Sequence, residues 1–128
     1  MSTREQALLA AIGFGIWLSG AVTFRFAGAL MFESGPLILL VGAVAVAISV
    51  CLLLITIMNW RRLPAAQSVP VAVVLILPGL FGDAVYALKF AAITGLNPLT
   101  AAPYAATMFF GTAVLLAFAL WRAGRALA

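Results

Sequence analysis

The chain has 128 residues, of which 66% are hydrophobic and only 8% are charged. Its mean hydropathy is +1.25, whereas about 25% of the residues of a soluble domain are charged, so the composition predicts an integral membrane protein. The chain has no histidine, which removes the commonest haem ligand, the usual zinc sites and a histidine general base. We therefore expect no metal, no cofactor and no enzymatic activity. The one cysteine, Cys51, cannot form an intramolecular disulfide and is expected to pack as a small apolar side chain.

Four apolar segments fill most of the sequence, each near the ~20 residues that a helix needs to cross ~30 Å of hydrocarbon. They cover residues 7–30, 36–58, 70–93 and 104–121. Because the connections between them are short, we expect an all-α fold in which residues 1–128 form one transmembrane domain, a four-helix bundle built from two hairpins. The first segment is too long for a signal peptide and contains Arg25, so it is expected to be a retained span.

Basic residues fall on alternate connections, which predicts the orientation. The first connection has Glu33 and no basic residue, whereas the second connection and the carboxyl-terminal segment carry Arg61, Arg62, Arg122 and Arg125. Lys and Arg accumulate in cytoplasmic loops, so both termini are expected in the cytoplasm. Trp60 and Trp121 precede these arginines, and the six residues together are predicted to anchor the bundle to anionic lipid rather than to bind nucleic acid.

Residues 15–27 resemble residues 79–91 at a constant offset. Since both halves would begin on the same side of the membrane, this pattern is consistent with a parallel internal repeat. Small or polar residues recur at every fourth position of both segments, namely Gly15, Ser19 and Thr23 in the first and Gly79, Asp83 and Ala87 in the second. Such stripes allow close helix packing in lipid, so the first and third helices are predicted to meet along them.

Charged residues within the spans are the clearest functional signal, since each is costly to bury in hydrocarbon. Asp83 lies in the third span, Arg25 and Lys89 lie near the outer ends of their spans, and Glu33 lies in the outer turn. We expect these four residues to form a polar cluster. The short side chain of Asp83 cannot reach the interface, so it needs a partner, and Arg25 is the strongest candidate.

Pro78 and Gly79 precede Asp83 by about one turn, and proline removes a backbone donor, so a kink is expected there. Broken helices beside an acidic residue line substrate sites in transporters. Further residues are predicted to line a pocket near Asp83, namely Trp17, Ser19, Thr23, Tyr86 and Phe90. Two interpretations remain open, a structural Asp83–Arg25 pair and a transport site.

Three features in combination resemble a known family. These are Arg25-Phe26-x-Gly28 at the exit from the first span, Pro78-Gly79-x-x-x-Asp83 within the third, and a proline-containing outer turn before a small, aromatic fourth span. The combination resembles a family of small bacterial four-span membrane proteins known only as a domain of unknown function. The resemblance implies a bacterial inner-membrane protein and supplies no activity.

Two functions fit the sequence. The first is an accessory subunit or scaffold that packs through its small-residue stripes against a larger membrane protein. The second is a small transporter or ion-conducting protein with an outer-facing site around Asp83 and Arg25. Four helices can hardly enclose a pathway, so the second hypothesis requires a parallel homo-oligomer.

Overall fold

The computed structural model describes residues 1–128 and consists of helices, with no strand. The long helices are α1 (Thr3–Phe32), α2 (Pro36–Trp60), α3 (Ser68–Leu88) and α5 (Ala101–Leu127), and a short helix, α4 (Phe90–Thr94), follows α3. Single 3-10 turns at Ala65–Gln67 and Pro98–Thr100 lead into α3 and α5. The four long helices are long and apolar enough to cross a membrane, which confirms the four predicted apolar spans and indicates a multi-pass membrane protein.

Local chemistry explains most of the helix boundaries. The hydroxyl of Ser2 accepts a hydrogen bond from the Glu5 backbone N–H at 3.1 Å and so caps α1. Pro36 occupies the first turn of α2, where its missing N–H costs nothing. At the end of α4, Gly95 adopts the left-handed conformation (φ 72°) that glycine accommodates without strain.

The third span differs from the prediction at its outer end, where one continuous segment to residue 93 was expected. Instead α3 ends at Leu88, and Lys89 departs from helical geometry (φ −110°, ψ 23°) before α4 begins. Pro78 lies inside α3, which continues through it. The carboxyl-terminal part of the predicted third span is therefore a separate short helix, whose last carbonyl groups need partners of their own.

The helices pack unevenly around the bundle. α1 packs mainly against α3, α3 also packs against α5, and α5 packs against α2. In contrast, α1 and α2 are joined by a short turn at Glu33–Gly35 yet make few contacts with each other. The bundle consequently has an open side between α1 and α2.

The face that α1 presents to α3 is not the predicted one. Gly13 is buried and lies directly against the backbone of Leu75, so closely that a methyl group there would overlap the Leu75 carbonyl. Trp17 and Ala21 continue this stripe toward the outer end. The contact is therefore made by residues 13, 17 and 21, two positions away from the predicted stripe and thus ~200° around the helix.

The predicted stripe on α1 is exposed instead. Nothing lies within 4 Å of the position that a Cβ of Gly15 would occupy. The hydroxyl groups of Ser19 and Thr23 donate to the carbonyls of Gly15 and Ser19, at 2.9 and 2.8 Å. These polar groups are satisfied within their own helix, so they do not depend on a neighbouring helix.

Polar side chains join the helices at both ends of the bundle. At one end, Arg61 donates two hydrogen bonds to the Glu5 carboxylate, at 2.8 and 2.7 Å, and these bonds raise the pKa of Arg61 above its usual value. At the other end, the Thr100 hydroxyl donates to Glu33 at 2.7 Å. The amino-terminal end of α1 and the carboxyl-terminal end of α2 therefore lie together.

We predict that Gly13→Ala destabilises the bundle strongly, because a methyl group would meet the rigid backbone of Leu75 rather than a side chain that can move. Gly15→Ala is the matched control on the same helix and should be neutral or slightly stabilising. Thermal unfolding of both variants in the same detergent tests this packing. A larger loss of melting temperature for Gly15→Ala would contradict it.

Candidate functional site

Asp83 is the centre of the polar chemistry within the bundle, and it is held by two neutral donors. Its Oδ1 atom accepts a hydrogen bond from Trp17 Nε1 at 2.7 Å and another from the Tyr104 hydroxyl at 2.6 Å. The second oxygen, Oδ2, accepts no hydrogen bond from the protein. Because indole and phenol are neutral, they satisfy Oδ1 without cancelling the charge of an ionised carboxylate.

Two glycines of α3 make room for the Trp17 indole. A Cβ at Gly79 would lie 3.3 Å from the Trp17 side chain, and a Cβ at Gly82 would lie 2.6 Å from the far ring of the indole. The indole thus lies against the backbone of α3 with its N–H directed to Asp83. Gly79 and Gly82 therefore position a donor, which explains their place beside the acid.

An aromatic cluster holds Tyr104, the second hydrogen-bond donor to Asp83, in position. Tyr104 is 1% exposed and is surrounded by the rings of Phe24, Phe32, Tyr86 and Phe90. The closest pair is Tyr86 and Tyr104, whose ring centroids are 4.8 Å apart. A buried phenol needs a partner for its hydroxyl group, and Asp83 is that partner for Tyr104.

A cavity of about 420 Å³ lies beside Asp83, within the ~300–1,000 Å³ typical of small-molecule sites. Its wall is largely apolar and contains side chains from all four long helices. Trp17, Asp83 and Tyr104 form its main polar region. Asp83 is the only charged residue in this wall.

The cavity opens on the side where α1 and α2 diverge. Ala45, Ser49 and Leu53 of α2 line it and are themselves exposed, whereas the contacts between α1 and α2 are few. The Ser49 hydroxyl donates to the Ala45 carbonyl at 2.7 Å, so it is satisfied within α2. A ligand of apolar character could reach Asp83 through this side opening.

The expected pairing of Asp83 with Arg25 is wrong. The Arg25 guanidinium donates to the carbonyl of Ile93 at the end of α4, and the only ion pair in the structure joins Glu5 and Arg61. The register of the parallel helices α1 and α3 gives the reason, because it places Trp17 opposite Asp83 and Arg25 about two turns further outward. There Arg25 satisfies a carbonyl that the end of a helix leaves free.

The four charged residues predicted as one cluster are therefore dispersed. Glu33 accepts from Thr100 in the outer turn. Lys89 is exposed at the break between α3 and α4, and its side chain makes no hydrogen bond. Arg25, Glu33 and Lys89 occupy separate positions toward the end of the bundle that carries the α1–α2 turn, and Asp83 alone lies in the cavity wall.

Of the five residues predicted to line the pocket, the structure places only Trp17 in the cavity wall. Tyr86 and Phe90 are buried in the aromatic cluster behind it, and the Tyr86 hydroxyl donates to the Ala21 carbonyl at 3.3 Å. Ser19 and Thr23 are exposed on another face of α1. Ser19 and Thr23 miss the cavity because of the rotation of α1 described above, whereas Tyr86 and Phe90 miss it because their rings pack around Tyr104.

The sequence reasoning missed Tyr104 and the contribution of α2. Tyr104 could have been suspected, because a tyrosine near the start of an apolar span needs a hydrogen-bond partner if it is buried. The small residues Gly42, Ala45 and Ser49 line the cavity from α2. No local signal distinguishes them from residues that pack another helix.

The aromatic and basic residues predicted as lipid anchors lie at the end of the bundle that carries the Glu5–Arg61 pair. Arg61 lies 5.2 Å from the ring of Trp60, and Arg125 lies 5.3 Å from the ring of Trp121. Arg122 donates to the Met58 sulfur at 3.1 Å. Arg62 is exposed and adopts a positive φ of 55°, where the chain leaves α2.

Residues 30–126 match the model of a family of unknown function, DUF5367. The match spans most of the chain, which therefore belongs to this family and confirms the resemblance inferred from the sequence. No curated protein and no solved structure matches the chain.

The arrangement offers a carboxylate beside a large apolar surface. The hydrogen-bond partners of Asp83 are the neutral side chains of Trp17 and Tyr104, and both of them donate to Oδ1. A molecule with a positive charge and an apolar body complements both features.

We predict that Asp83→Leu destabilises the protein by about 2–6 kcal/mol, because it leaves the Trp17 and Tyr104 donors without an acceptor, at ~1–3 kcal/mol each. Asp83→Asn is the matched control, because its amide oxygen can accept both hydrogen bonds and should limit the loss to below about 1 kcal/mol. Unfolding in mixed micelles measures both. Equal losses in the two variants would show that the two donors do not depend on Asp83.

Proposed function

We propose that the protein binds a small organic cation with an apolar body in the cavity between α1 and α2. We propose further that a homo-oligomer of the protein carries this cation across the membrane. The observation that carries this proposal is the Asp83 carboxylate, which lines the cavity, uses Oδ1 for two structural hydrogen bonds and leaves Oδ2 without a hydrogen-bond partner. The hydrogen bonds hold the carboxylate in place, so it is ready to bind without reorganisation.

The electrostatic argument favours a cation over an anion or a neutral ligand. An ionised carboxylate surrounded by apolar groups is costly when it lacks a partner of opposite charge. No basic side chain of this chain lines the cavity, so a ligand cation would supply the missing charge. The interaction of two unit charges ~4 Å apart is about 4 kcal/mol at an effective dielectric constant near 20, enough to select for charge.

The apolar wall of the cavity favours a ligand whose uncharged part is largely hydrocarbon. Most of the surface around Asp83 is hydrocarbon, from residues such as Ile16, Val46 and Met108. A strongly hydrated ion would lose its water there without replacement, whereas an organic cation would bury its apolar body favourably.

Transport requires more than one copy of the chain, since one side of the cavity is open toward the surrounding lipid. We infer a parallel homo-oligomer, because the arginine distribution favours a single orientation. In that orientation both termini face the cytoplasm of a bacterial cell, and the residues near Glu33 face outward. Association of copies across the open side would convert the cavity into a pathway closed to lipid.

A second function is supported by the exposed face of α1. The Gly15–Ser19–Thr23 stripe lies outside the bundle, and its hydroxyl groups are satisfied internally. Small-residue stripes of this kind allow close approach of another membrane helix. The protein would then act as an accessory subunit or scaffold of a larger membrane protein, and neither function requires enzymatic activity.

We predict that purified protein in nanodiscs binds benzyltrimethylammonium and that Asp83→Asn lowers the affinity about 10- to 100-fold, which corresponds to ~1.4–2.8 kcal/mol of lost charge interaction. The neutral isostere neopentylbenzene, which has the same shape without the charge, should bind both forms equally. Equilibrium dialysis with labelled ligands measures this, and proteoliposome uptake of the cation tests transport.

The transport function and the accessory function predict different experimental results. Unchanged cation affinity in Asp83→Asn, or no uptake by proteoliposomes that contain the wild-type protein, would contradict the transport proposal. Loss of co-purifying partner subunits in Gly15→Leu, together with no cation uptake by the wild-type protein, would support the accessory function instead. Glu33→Gln serves as a control, because it removes a charge outside the cavity.

The proposed orientation, with both termini in the cytoplasm, is tested separately by cysteine labelling. In a Cys51→Ala background, a cysteine at Ser34 should react with a membrane-impermeant maleimide added to intact cells, and a cysteine at Arg62 should react only after lysis. The opposite pattern would reverse the proposed orientation. Labelling of both positions in intact cells would show mixed orientation.

A further inference from the structure

A second elongated depression runs along the outside of the bundle between α2 and α5, far from Asp83. Its apolar part has a volume of about 310 Å³ and is lined only by hydrophobic residues, among them Val44, Ile48 and Val114. Its polar part, of about 480 Å³, contains Trp121, Arg122 and Arg125. Ile55 and Phe118 line both parts, so the two are continuous and form one α2–α5 groove.

The two arginines give the groove a positive end. Arg122 and Arg125 are three residues apart on α5 and therefore project from the same face of the helix. Neither has a carboxylate partner, since the only ion pair in the structure joins Glu5 and Arg61. Arg122 contacts the uncharged Met58 sulfur and Arg125 lies over the Trp121 ring, so both charges remain available to an anion.

The length of the apolar part fits one leaflet of a bilayer. From Val44 to Ile55, α2 rises ~16 Å at 1.5 Å per residue, and half of a ~30 Å hydrocarbon core is ~15 Å. The positive end lies where Trp121 and the arginines reach the headgroup region. An apolar groove of this length beside two guanidinium groups complements a molecule with an acyl chain and an anionic headgroup.

We propose that the α2–α5 groove is a binding site for one anionic phospholipid. Arg122 and Arg125 bind the headgroup phosphate, and an acyl chain lies along Ile55, Phe118 and Val114 toward Val44. Guanidinium groups recognise phosphate through paired N–H donors, which separates this site from the diffuse attraction of basic residues to a membrane surface. The site is independent of Asp83 and of the proposed cation transport.

The test is native mass spectrometry of delipidated protein with phosphatidylglycerol and phosphatidylcholine that carry identical acyl chains. We expect one tightly bound phosphatidylglycerol, with about tenfold preference over phosphatidylcholine. The double variant Arg122→Gln/Arg125→Gln should abolish this preference. The charge-matched control Arg4→Gln/Arg62→Gln, outside the groove, should keep it within twofold.

A substitution in the apolar part of the α2–α5 groove tests whether an acyl chain binds there. Ile48→Trp fills the groove at a residue that is 55% exposed, so it should fold, and we expect about tenfold weaker binding of both lipids with little change in their ratio. Leu40→Trp, on the same helix outside the groove, is the control. Millimolar inorganic phosphate should not displace the lipid, because it lacks the acyl chain.

Three results would overturn this site. Equal loss of preference in the Arg4→Gln/Arg62→Gln control would show diffuse attraction to basic residues. Full displacement by inorganic phosphate would show a simple anion site without a chain-binding groove. Unchanged lipid affinity in Ile48→Trp, or equal weakening by Leu40→Trp, would show that no acyl chain occupies the groove.

Discussion

The structure depends on one constraint, which is that a carboxylate within an apolar helical bundle must be satisfied by groups from the bundle itself. Asp83 meets this constraint through Trp17 on α1 and Tyr104 on α5, so a single oxygen atom joins three helices. The other features follow from these two bonds. Gly79 and Gly82 leave room for the indole, and the aromatic cluster around Tyr104 fixes the phenol. Because both donors share Oδ1, the Oδ2 atom of this cavity-lining residue has no hydrogen-bond partner in the protein.

The four spans were predictable because hydrophobicity and length determine them directly. The contact between the first and third helices was also predictable, and even its register along the membrane was nearly right. The face of α1 that makes this contact was not predictable. Two stripes on α1 are plausible packing surfaces, namely Gly15–Ser19–Thr23 and Gly13–Trp17–Ala21. The fit of the Trp17 indole against Gly79 and Gly82 decides between them. The register of α1 against α3, rather than the rotation of α1, explains why Arg25 is not the partner of Asp83, because it places Trp17 opposite Asp83 and Arg25 about two turns away.

The two candidate ligand sites use the surrounding lipid in different ways. The α1–α2 cavity presents a negative group to the lipid side of the bundle, which favours an apolar cation. The α2–α5 groove presents positive groups at one end, which favours an anionic lipid. The α1–α2 cavity exists because α2 makes few contacts with α1, whereas the α2–α5 groove follows the outside of the closely packed α2–α5 pair. Oligomerisation would cover the cavity, and a bound lipid would cover the groove.

The most direct test of the central claim is a pair of double-mutant cycles on unfolding free energy, which isolate the interaction of Asp83 with each proposed neighbour. In the first, Asp83→Leu is combined with Tyr104→Phe, and in the second with Arg25→Gln. We expect a coupling of about 1 kcal/mol or more between Asp83 and Tyr104, and a coupling below about 0.3 kcal/mol between Asp83 and Arg25. Strong coupling to Arg25, with none to Tyr104, would contradict the account of Asp83 given by the structure.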